Sequence, residues 1–137
     1  MEKLAISIGF IALIVAFWYW FEGRWDRRLF AAKAGRVCEN LHPPQAKELL
    51  RSRRDVQVLD VRSAAEFSDG AIPGAVNVSL GDPDFRRKLE GLDKAKPILV
   101  YCAGGYRSRK AVEVLKELDF ESIHHLHRGY HSWRMAA

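Results

Sequence analysis

The feature that most constrains this fold is a cysteine placed between a predicted strand and a predicted helix. The apolar run of residues 97–101 is typical of a buried strand, and Cys102 follows it directly. Two glycines and a tyrosine then turn the chain, and a basic, helix-forming run extends from Arg107 to Leu118. This order of elements places the Cys102 sulfur at a helix N-terminus, where backbone N–H groups and the helix dipole favour an anion.

The predicted surroundings of Cys102 suit a reactive thiol. With Arg107 and Arg109 in the following turn, this thiol is expected to lose its proton more readily than a free cysteine. Because the thiolate is the nucleophile, Cys102 is a candidate for covalent catalysis. The alternative is a small apolar side chain that only fills the core, as many buried cysteines do. This segment taken alone leaves both interpretations open.

Three segments of the sequence match motifs that occur together. Residues 59–67 read LDVRSAAEF, residues 70–78 read GAIPGAVNV, and residues 102–108 read CAGGYRS. The first two resemble the N-terminal signature of the rhodanese family, and the third resembles its active-site loop, Cys-x-x-Gly-x-Arg-Ser. The loop positions that match are Gly105, Arg107 and Ser108.

The resemblance extends over residues 40–133 and includes two departures. The family commonly has histidine where this chain has Ala71. The family's C-terminal motif has paired glycines before a tryptophan, and here Arg128 replaces the first of them, ahead of Gly129 and Trp133. The departure at Arg128 concerns a local turn near the site and leaves the expected fold unchanged.

The resemblance implies an α/β fold with a rhodanese-like parallel sheet flanked by helices on both faces. It also implies sulfur transfer, in which Cys102 takes the outer sulfur of a donor such as thiosulfate and holds it as a persulfide. A thiol, a protein or cyanide then accepts the sulfur. No cofactor and no metal is expected. The residues expected to bind the substrate are Ala103, Gly104, Gly105, Tyr106, Arg107 and Ser108, and those expected to support the loop are Asp60, Arg62 and Glu66.

The same resemblance gives the loop residues separate roles. Their backbone N–H groups are expected to form an anion-binding cradle around the persulfide. Gly104 and Gly105 allow the chain to fold closely around it. Arg107 is expected to bind the anionic end of the donor or to stabilise the thiolate, and Ser108 to cap the following helix.

The pattern of predicted elements also favours a parallel α/β sheet. Short apolar runs alternate with segments of helical spacing, and this alternation is typical of that architecture. Ser63 followed by Glu66 forms a capping-box pattern at the start of one helix. Helices are predicted over residues 43–51, 63–67, 82–89 and 108–118 and near Trp133, and strands over residues 56–61, 75–78, 98–101 and 122–126.

The N-terminal segment predicts a single transmembrane helix that precedes the domain. Residues 4–21 form an 18-residue apolar run with Ser7 and Gly9 as its clear interruptions. As a helix this run is about 27 Å long, close to the hydrocarbon thickness of a bilayer. Its end is rich in aromatic residues, which concentrate at membrane interfaces. The alternatives are a core helix, which should show a polar stripe, and a cleaved signal peptide, which should have a small-residue cleavage site soon after its apolar core.

The charges around this segment predict its orientation. Lys3 is the only basic side chain before it, whereas five basic residues follow within residues 22–39. By the positive-inside rule the C-terminal side is cytoplasmic, which predicts a single-pass protein of the bacterial inner membrane with a cytoplasmic catalytic domain. The predicted organisation is a transmembrane anchor over residues 1–21, a basic juxtamembrane linker over residues 22–39 and a rhodanese-like domain over residues 40–137.

Cysteine content and charge exclude several classes of protein. The two cysteines, Cys38 and Cys102, do not form a Cys-x-x-Cys pair, so neither a zinc knuckle nor a dithiol redox site is indicated. Cys38 is interpreted as an incidental thiol of the linker, with a resolving partner for Cys102 as the alternative. The net charge of +5 is spread along the chain, so no nucleic-acid partner is expected.

Histidines cluster near the C-terminus, at His124, His125, His127 and His131. In a strand His125 and His127 share a face while His124 points away, because alternate side chains lie on opposite faces. Three ligands would not converge there without a carboxylate or cysteine nearby. Structural or solvent-facing histidines are therefore favoured over a metal site.

Two alternatives to sulfur transfer remain open. Tyrosine phosphatases and related folds, among them arsenate-reductase-like enzymes, carry Cys-x5-Arg, whereas Arg107 follows Cys102 after four residues. The shorter loop favours sulfur over phosphate. The other alternative is a non-catalytic rhodanese-like module that binds protein at the membrane, although such modules usually lose the cysteine. The expected partners are a small sulfur donor, a thiol or protein sulfur acceptor, and the lipid bilayer.

Overall fold

The computed structural model describes residues 2–136, with side chains described from Ala5 onward, and the chain divides into two compact units. The first unit ends at Ala31 and consists of one helix, α1 (Glu2–Leu29). Its side chains from residue 5 to residue 21 are exposed. In the described part of the chain, this is the one helix long and apolar enough to cross a bilayer, a property that signal sequences and buried core helices share.

The second unit begins at Ala32 and is built on a five-stranded parallel sheet with helices on both faces, which confirms the predicted α/β architecture. The strands are β1 (Val37–Leu41), β2 (Gln57–Asp60), β3 (Val76–Asn77), β4 (Ile98–Tyr101) and β5 (Ser122–Leu126). The helices are α2 (Pro43–Ser52), α3 (Ala64–Ser68), α4 (Phe85–Glu90), α5 (Tyr106–Glu117) and α6 (Gly129–Met135). The strand order is β1-β5-β4-β2-β3, so β4 lies at the centre of the sheet.

The central strand is a rigid platform for the residue that follows it. All four residues of β4 are buried, and Leu99 and Tyr101 pack with Leu41, Ile72 and Leu126 in one apolar cluster. Fully burying a large aliphatic side chain contributes about 1.5–3 kcal/mol, so this cluster fixes β4 firmly. The Tyr101 hydroxyl also accepts a hydrogen bond of 3.1 Å from the Ile72 N–H, which ties the turn before β3 to the same strand.

Several predicted features of the second unit are confirmed. Strands β4 and β5 have the predicted bounds, and α2 begins at Pro43. Ser63 caps α3, because its hydroxyl accepts a hydrogen bond from the Glu66 N–H while the Glu66 carboxylate accepts one from the Ser63 N–H. Helix α5 begins at Tyr106, earlier than the prediction at Ser108, because Gly105 adopts a φ of 103° and becomes the N-cap.

The sequence did not predict strand β1. It pairs in parallel with β5, although residues 37–39 fall within the predicted linker. Cys38 and Leu41 are buried while Glu39 is exposed, a pattern too short and polar to indicate a strand without its partner. Cys38 is therefore a buried residue of the sheet rather than an incidental linker thiol, and burial raises the pKa of its thiol.

Candidate active site

Cys102 lies directly after β4, on the side of the sheet formed by the carboxyl ends of the strands. Parallel α/β folds bind their ligands on that side. Its side chain is 1% exposed, and its Sγ accepts a hydrogen bond of 3.1 Å from the Gly105 N–H. The φ of Gly105 is one that L side chains rarely adopt, and a Cβ there would lie 3.2 Å from Arg109 Nη1. Glycine at position 105 therefore lets the loop close tightly over the sulfur.

Ser108 brings a hydroxyl to the same sulfur. Its Oγ lies 3.3 Å from Cys102 Sγ, and the residue is fully buried in the first turn of α5. The sequence predicted that Ser108 would cap this helix, but Gly105 holds the N-cap position. The Ser108 hydroxyl consequently faces the interior of the site, where it can stabilise a charged sulfur.

Arg107 is held at the rim of the loop by Glu66. Its Nη1 and Nη2 each donate to one Glu66 carboxylate oxygen, both at 2.8 Å. These hydrogen bonds, with further ones from Ser63, hold the pKa of Glu66 well below its usual range. The same pairing raises the pKa of Arg107, and the negative charge of a Cys102 thiolate adds to that effect. Arg107 thus supplies positive charge near the sulfur while its hydrogen bonds go to Glu66.

Asp60 and Arg62 form a buried ion pair beneath the loop. Arg62 Nη2 donates to Asp60 Oδ2 at 2.6 Å, and neither residue is more than 4% exposed. The guanidinium also donates to the Gly70 carbonyl oxygen at 2.6 Å and lies 4.4 Å from the ring centroid of Tyr130. The pair therefore links β2, the turn at Gly70 and α6. Removing one partner of a buried pair typically costs about 3–5 kcal/mol of stability. Asp60 and Arg62 are therefore placed to support the structure around the loop.

The first turn of α6 fixes the backbone of the loop. The Tyr130 N–H donates to the Cys102 carbonyl oxygen at 2.8 Å, and the His131 N–H donates to the Ala103 carbonyl oxygen at 3.1 Å. Gly129 permits this approach, because a Cβ there would lie 2.4 Å from the Cys102 carbonyl oxygen. The carbonyl groups of Cys102 and Ala103 are therefore held by hydrogen bonds from the first turn of α6.

Arg128 occupies the turn before α6 in a left-handed conformation. Its φ is 60°, a value that glycine adopts without steric cost and that costs a residue with a Cβ about 1–2 kcal/mol. Its backbone nitrogen lies 3.4 Å from the place where a Cβ on Gly105 would project. The departure from paired glycines thus changes the side chain but keeps the turn next to the active-site loop.

A cleft opens beside the loop. Ala103 lines it, and its other lining residues include Arg62, Glu66, Tyr130 and Arg134. Its wall carries two arginines, Arg62 and Arg134, together with two carboxylates, Glu66 and Asp69. The other loop residues are placed differently: Gly104 has open space where a side chain would project, and Tyr106 is 52% exposed, with Lys110 Nζ 5.1 Å from its ring centroid.

Two polar residues behind the cysteine were not expected to belong to the site. His125, which is fully buried, has its Nε2 2.6 Å from Ser108 Oγ and its Nδ1 2.8 Å from Asn40 Oδ1. The predicted shared face of His125 and His127 is confirmed, since Asn40 contacts both rings. A histidine inside a buried strand was the available signal for His125, whereas Asn40 lies on the unpredicted strand β1.

Fold and loop together define a parallel α/β protein organised around a buried cysteine. Residues 42–136 match the rhodanese-like domain family, and the chain belongs to that family. The crystal structure of a rhodanese-related protein from Thermoplasma volcanium superposes with a TM-score of 0.63 at 30% identity, covering 71% of this chain and 91% of that one.

Two curated relatives carry different activities. Thiosulfate sulfurtransferase GlpE from Coxiella burnetii is 31% identical over 90 residues, which cover 66% of this chain and 81% of that enzyme. A tRNA uridine(34) hydroxylase from Cytophaga hutchinsonii is 39% identical over 97 residues, which cover 69% of this chain. This chain spans only 31% of the length of the hydroxylase.

Proposed function

We propose that this chain is a sulfurtransferase that carries sulfane sulfur as a persulfide on Cys102. The observation behind the proposal is the position of Cys102 Sγ, buried after β4 between the Gly105 N–H and the Ser108 hydroxyl. Both groups stabilise negative charge on sulfur at that point. The similarity to thiosulfate sulfurtransferase GlpE, most of whose length this chain spans, supports the same class of reaction.

The proposed reaction consists of two displacements at sulfur. The Cys102 thiolate attacks the outer sulfur of thiosulfate, a new S–S bond forms, the S–S bond of the donor breaks, and sulfite leaves with the electron pair. An acceptor thiolate or cyanide then attacks the outer sulfur of the persulfide, and Cys102 leaves as a thiolate. Because each step passes an electron pair from nucleophile to leaving group, no added oxidant or cofactor is required.

In this proposal the loop residues and the residues that support the loop have different roles. The backbone of residues 103–108 surrounds the transferred sulfur, with Gly105 and Ser108 nearest to it. Arg107, fixed by Glu66, attracts the anionic end of the donor as it enters the cleft beside Ala103. The support from Asp60 and Arg62 keeps the loop closed, so that its hydrogen-bond donors remain directed at the sulfur of Cys102.

Two other functions have less support. A non-catalytic binding module does not need a cysteine whose sulfur lies between a backbone N–H and a buried hydroxyl, as Cys102 Sγ does. The activity of the tRNA uridine(34) hydroxylase belongs to a protein of which this chain spans less than a third. Sulfur transfer is the function that uses the groups surrounding Cys102.

We also infer that α1 anchors the catalytic domain to a membrane. The proposed order is an anchor over residues 1–21, a basic segment after it and a cytoplasmic catalytic domain, whose first strand begins at Val37. The length of α1, its exposed apolar side chains and the basic Arg27 and Arg28 in its last turn support this order. Carbonate extraction should leave the protein in the membrane pellet, and a C-terminal tag should resist protease added to intact cells. Release into the supernatant would contradict anchoring, and loss of the tag would contradict the orientation.

Thiosulfate:cyanide activity of the full chain tests the proposed chemistry. Cys102→Ser should abolish the activity, because serine is too weak a nucleophile to take the sulfur. Cys38→Ser is the matched control, since Cys38 is the other buried cysteine and it lies on β1 rather than after β4. Equal losses in both variants would rule out the assignment of Cys102 as the sulfur carrier.

A further inference from the structure

A continuous chain of polar side chains runs from Cys102 across the sheet. Ser108 Oγ lies 3.3 Å from Cys102 Sγ and 2.6 Å from His125 Nε2. On the far side of the ring, His125 Nδ1 lies 2.8 Å from Asn40 Oδ1, and Asn40 Nδ2 lies 3.0 Å from His127 Nδ1. Ser108 and His125 are both fully buried, so these partners replace water. Strands β1 and β5 and helix α5 each contribute to the chain.

The hydrogen-bonding capacity of these groups fixes where the protons lie. An amide oxygen can only accept, so His125 carries a proton on Nδ1 and donates it to Asn40. In the neutral ring Nε2 is then the acceptor, and the Ser108 hydroxyl donates to it across 2.6 Å. Ser108 has one hydroxyl proton, which cannot also serve Cys102. A neutral Cys102 thiol therefore donates its own proton to the Ser108 oxygen.

We propose that His125 accepts the Cys102 proton through Ser108 and so generates the nucleophile of the sulfur-transfer reaction. The S–H bond of Cys102 breaks and a bond forms between that proton and Ser108 Oγ, while the original hydroxyl proton of Ser108 moves to His125 Nε2. The products are a Cys102 thiolate and a His125 imidazolium. No atom changes oxidation state, and the Ser108 hydroxyl then donates its hydrogen bond to the thiolate.

The arrangement has the three parts of an activated nucleophile. Cys102 is the nucleophile, His125 takes the proton, and Asn40 orients the ring by accepting from Nδ1. Because His125 acts through Ser108, it is a positioning residue, and Ser108 is the group that touches the reacting sulfur. A purely structural network would satisfy the same buried atoms but would leave the protonation of Cys102 unchanged. The two readings therefore differ in the pH profile of the thiol.

Other charged and titratable groups lie around this series of hydrogen-bonded side chains, and a test must leave them unchanged. Arg107 interacts electrostatically with Cys102, and Arg109 of α5 donates to the Gly105 carbonyl oxygen. His127 contacts the far side of Asn40, and Cys38 shares the face of β1 with Asn40. The proposed substitutions leave both arginines and His127 intact, so a change in profile reports on His125.

Alkylation of Cys102 by iodoacetamide, measured against pH in a Cys38→Ser background, tests the proposal. His125→Gln retains hydrogen bonding but cannot accept the proton, and it should raise the midpoint of the profile by about one pH unit. A rise of one pH unit means that the fraction of Cys102 present as thiolate is tenfold lower at pH values below the midpoint. Ser108→Ala should raise the midpoint similarly, and the double variant should add little, because both substitutions break the same path. Unchanged midpoints in folded variants would overturn the proposal.

His124→Gln is the matched control for this experiment. His124 is the preceding residue on β5, 6% exposed and on the opposite face, where its Nδ1 lies 3.7 Å from Glu39 Oε1. The same substitution there should leave the alkylation midpoint unchanged. A shift as large as that of His125→Gln would show that the effect is a general one of the sheet and would contradict the proposal.

Asn40→Asp provides a test with the opposite sign and keeps the result decisive if His125→Gln does not fold. A carboxylate at the Nδ1 side favours the imidazolium form of His125, so the thiolate should form at lower pH. We expect the midpoint to fall by about one pH unit relative to the parent, a tenfold gain in thiolate below it. An unchanged or raised midpoint would overturn the proposal.

The inference rests on the proposed function, since it concerns how the sulfur carrier is activated, but the two can fail separately. Alkylation uses no sulfur donor. If the midpoints shift as expected while thiosulfate leaves no sulfur on Cys102, the proton path stands and sulfur transfer fails. If the persulfide forms while the midpoints stay fixed, sulfur transfer stands and the proton path fails.

Discussion

The guanidinium of Arg107 donates to both carboxylate oxygens of Glu66, across 2.8 Å in each case. Because Glu66 belongs to α3 and Arg107 to α5, the pair joins the active-site loop to the short helix that follows β2. Both side chains are about one-third exposed, at 36% and 37%. The pair thus holds the positive charge of Arg107 in a fixed position beside the cleft, and both side chains remain partly exposed to solvent.

We expect Glu66→Gln to change how stability depends on pH. The pKa of Glu66 in the folded protein is lowered below its ordinary value of 4.5, so its contribution is complete above that value and is lost as pH falls through the folded-state pKa. Because the pair is partly solvated, the loss at neutral pH should be about 1 kcal/mol at most. Urea unfolding of the variant and the parent should therefore differ most near neutral pH and converge in acid. Glu90→Gln, at an exposed site on α4, is the control, and a difference independent of pH would contradict the assignment.

Arg128→Gly should stabilise the protein. The left-handed φ of 60° costs a residue with a Cβ more than glycine, although glycine is the more flexible residue in the unfolded chain. We expect a net gain of about 0.5–1 kcal/mol in the free energy of unfolding, measured by thermal or urea denaturation. Arg128→Ala keeps the strained backbone and should not stabilise. If alanine stabilises as much as glycine, backbone strain is not the cause.

Gly129→Ala should disrupt the loop from below. A Cβ at this position would lie 2.4 Å from the Cys102 carbonyl oxygen and 2.6 Å from that of Ala103, and both are backbone atoms. We expect at least a tenfold loss of sulfurtransferase activity, because the loop must move away from its aligned position. Gly81→Ala, which meets only Ser79 Oγ at 3.9 Å, should retain activity. Full activity of Gly129→Ala would show that the contact with α6 is dispensable.

Loop length should determine whether the site handles sulfur or phosphate. The Gly105 N–H already points at Cys102 Sγ, and α5 begins at the next residue. The backbone N–H groups of the loop therefore enclose only a small space around the sulfur. We expect the parent protein to hydrolyse aryl phosphates negligibly. Insertion of one glycine between Gly105 and Tyr106 gives Cys-x5-Arg spacing, with the nucleophile and arginine unchanged. The insertion should weaken thiosulfate turnover, and a parent protein that prefers aryl phosphate to thiosulfate would contradict the argument.

The sequence predicted those parts of the fold and site that depend on local patterns. The apolar run of β4, the helical spacing of α5 and the capping box at Ser63 are local, and the structure contains all three. Strand β1 escaped prediction because its stability comes from pairing with β5, a contact between distant parts of the sequence. Sequence spacing could place Cys102 before a helix, since that relation is also local.

The polar groups around the cysteine were harder to predict. The pairing of the Arg107 guanidinium with Glu66 could not be predicted, because these residues of α5 and α3 are distant in sequence and meet only in the folded chain. His125 and Asn40 come together only when β1 pairs with β5. The motif thus indicates the nucleophile, whereas the groups that tune it are supplied by tertiary structure.

Intact-mass measurement after incubation with thiosulfate tests the central claim most directly. The full chain, purified in detergent, should gain the mass of one sulfur atom, and a reducing thiol should remove it. Cys38→Ser should gain the same mass and Cys102→Ser should gain none, because Cys102 holds the persulfide. A parent chain that gains no sulfur, or a Cys102→Ser variant that still gains it, would contradict the account.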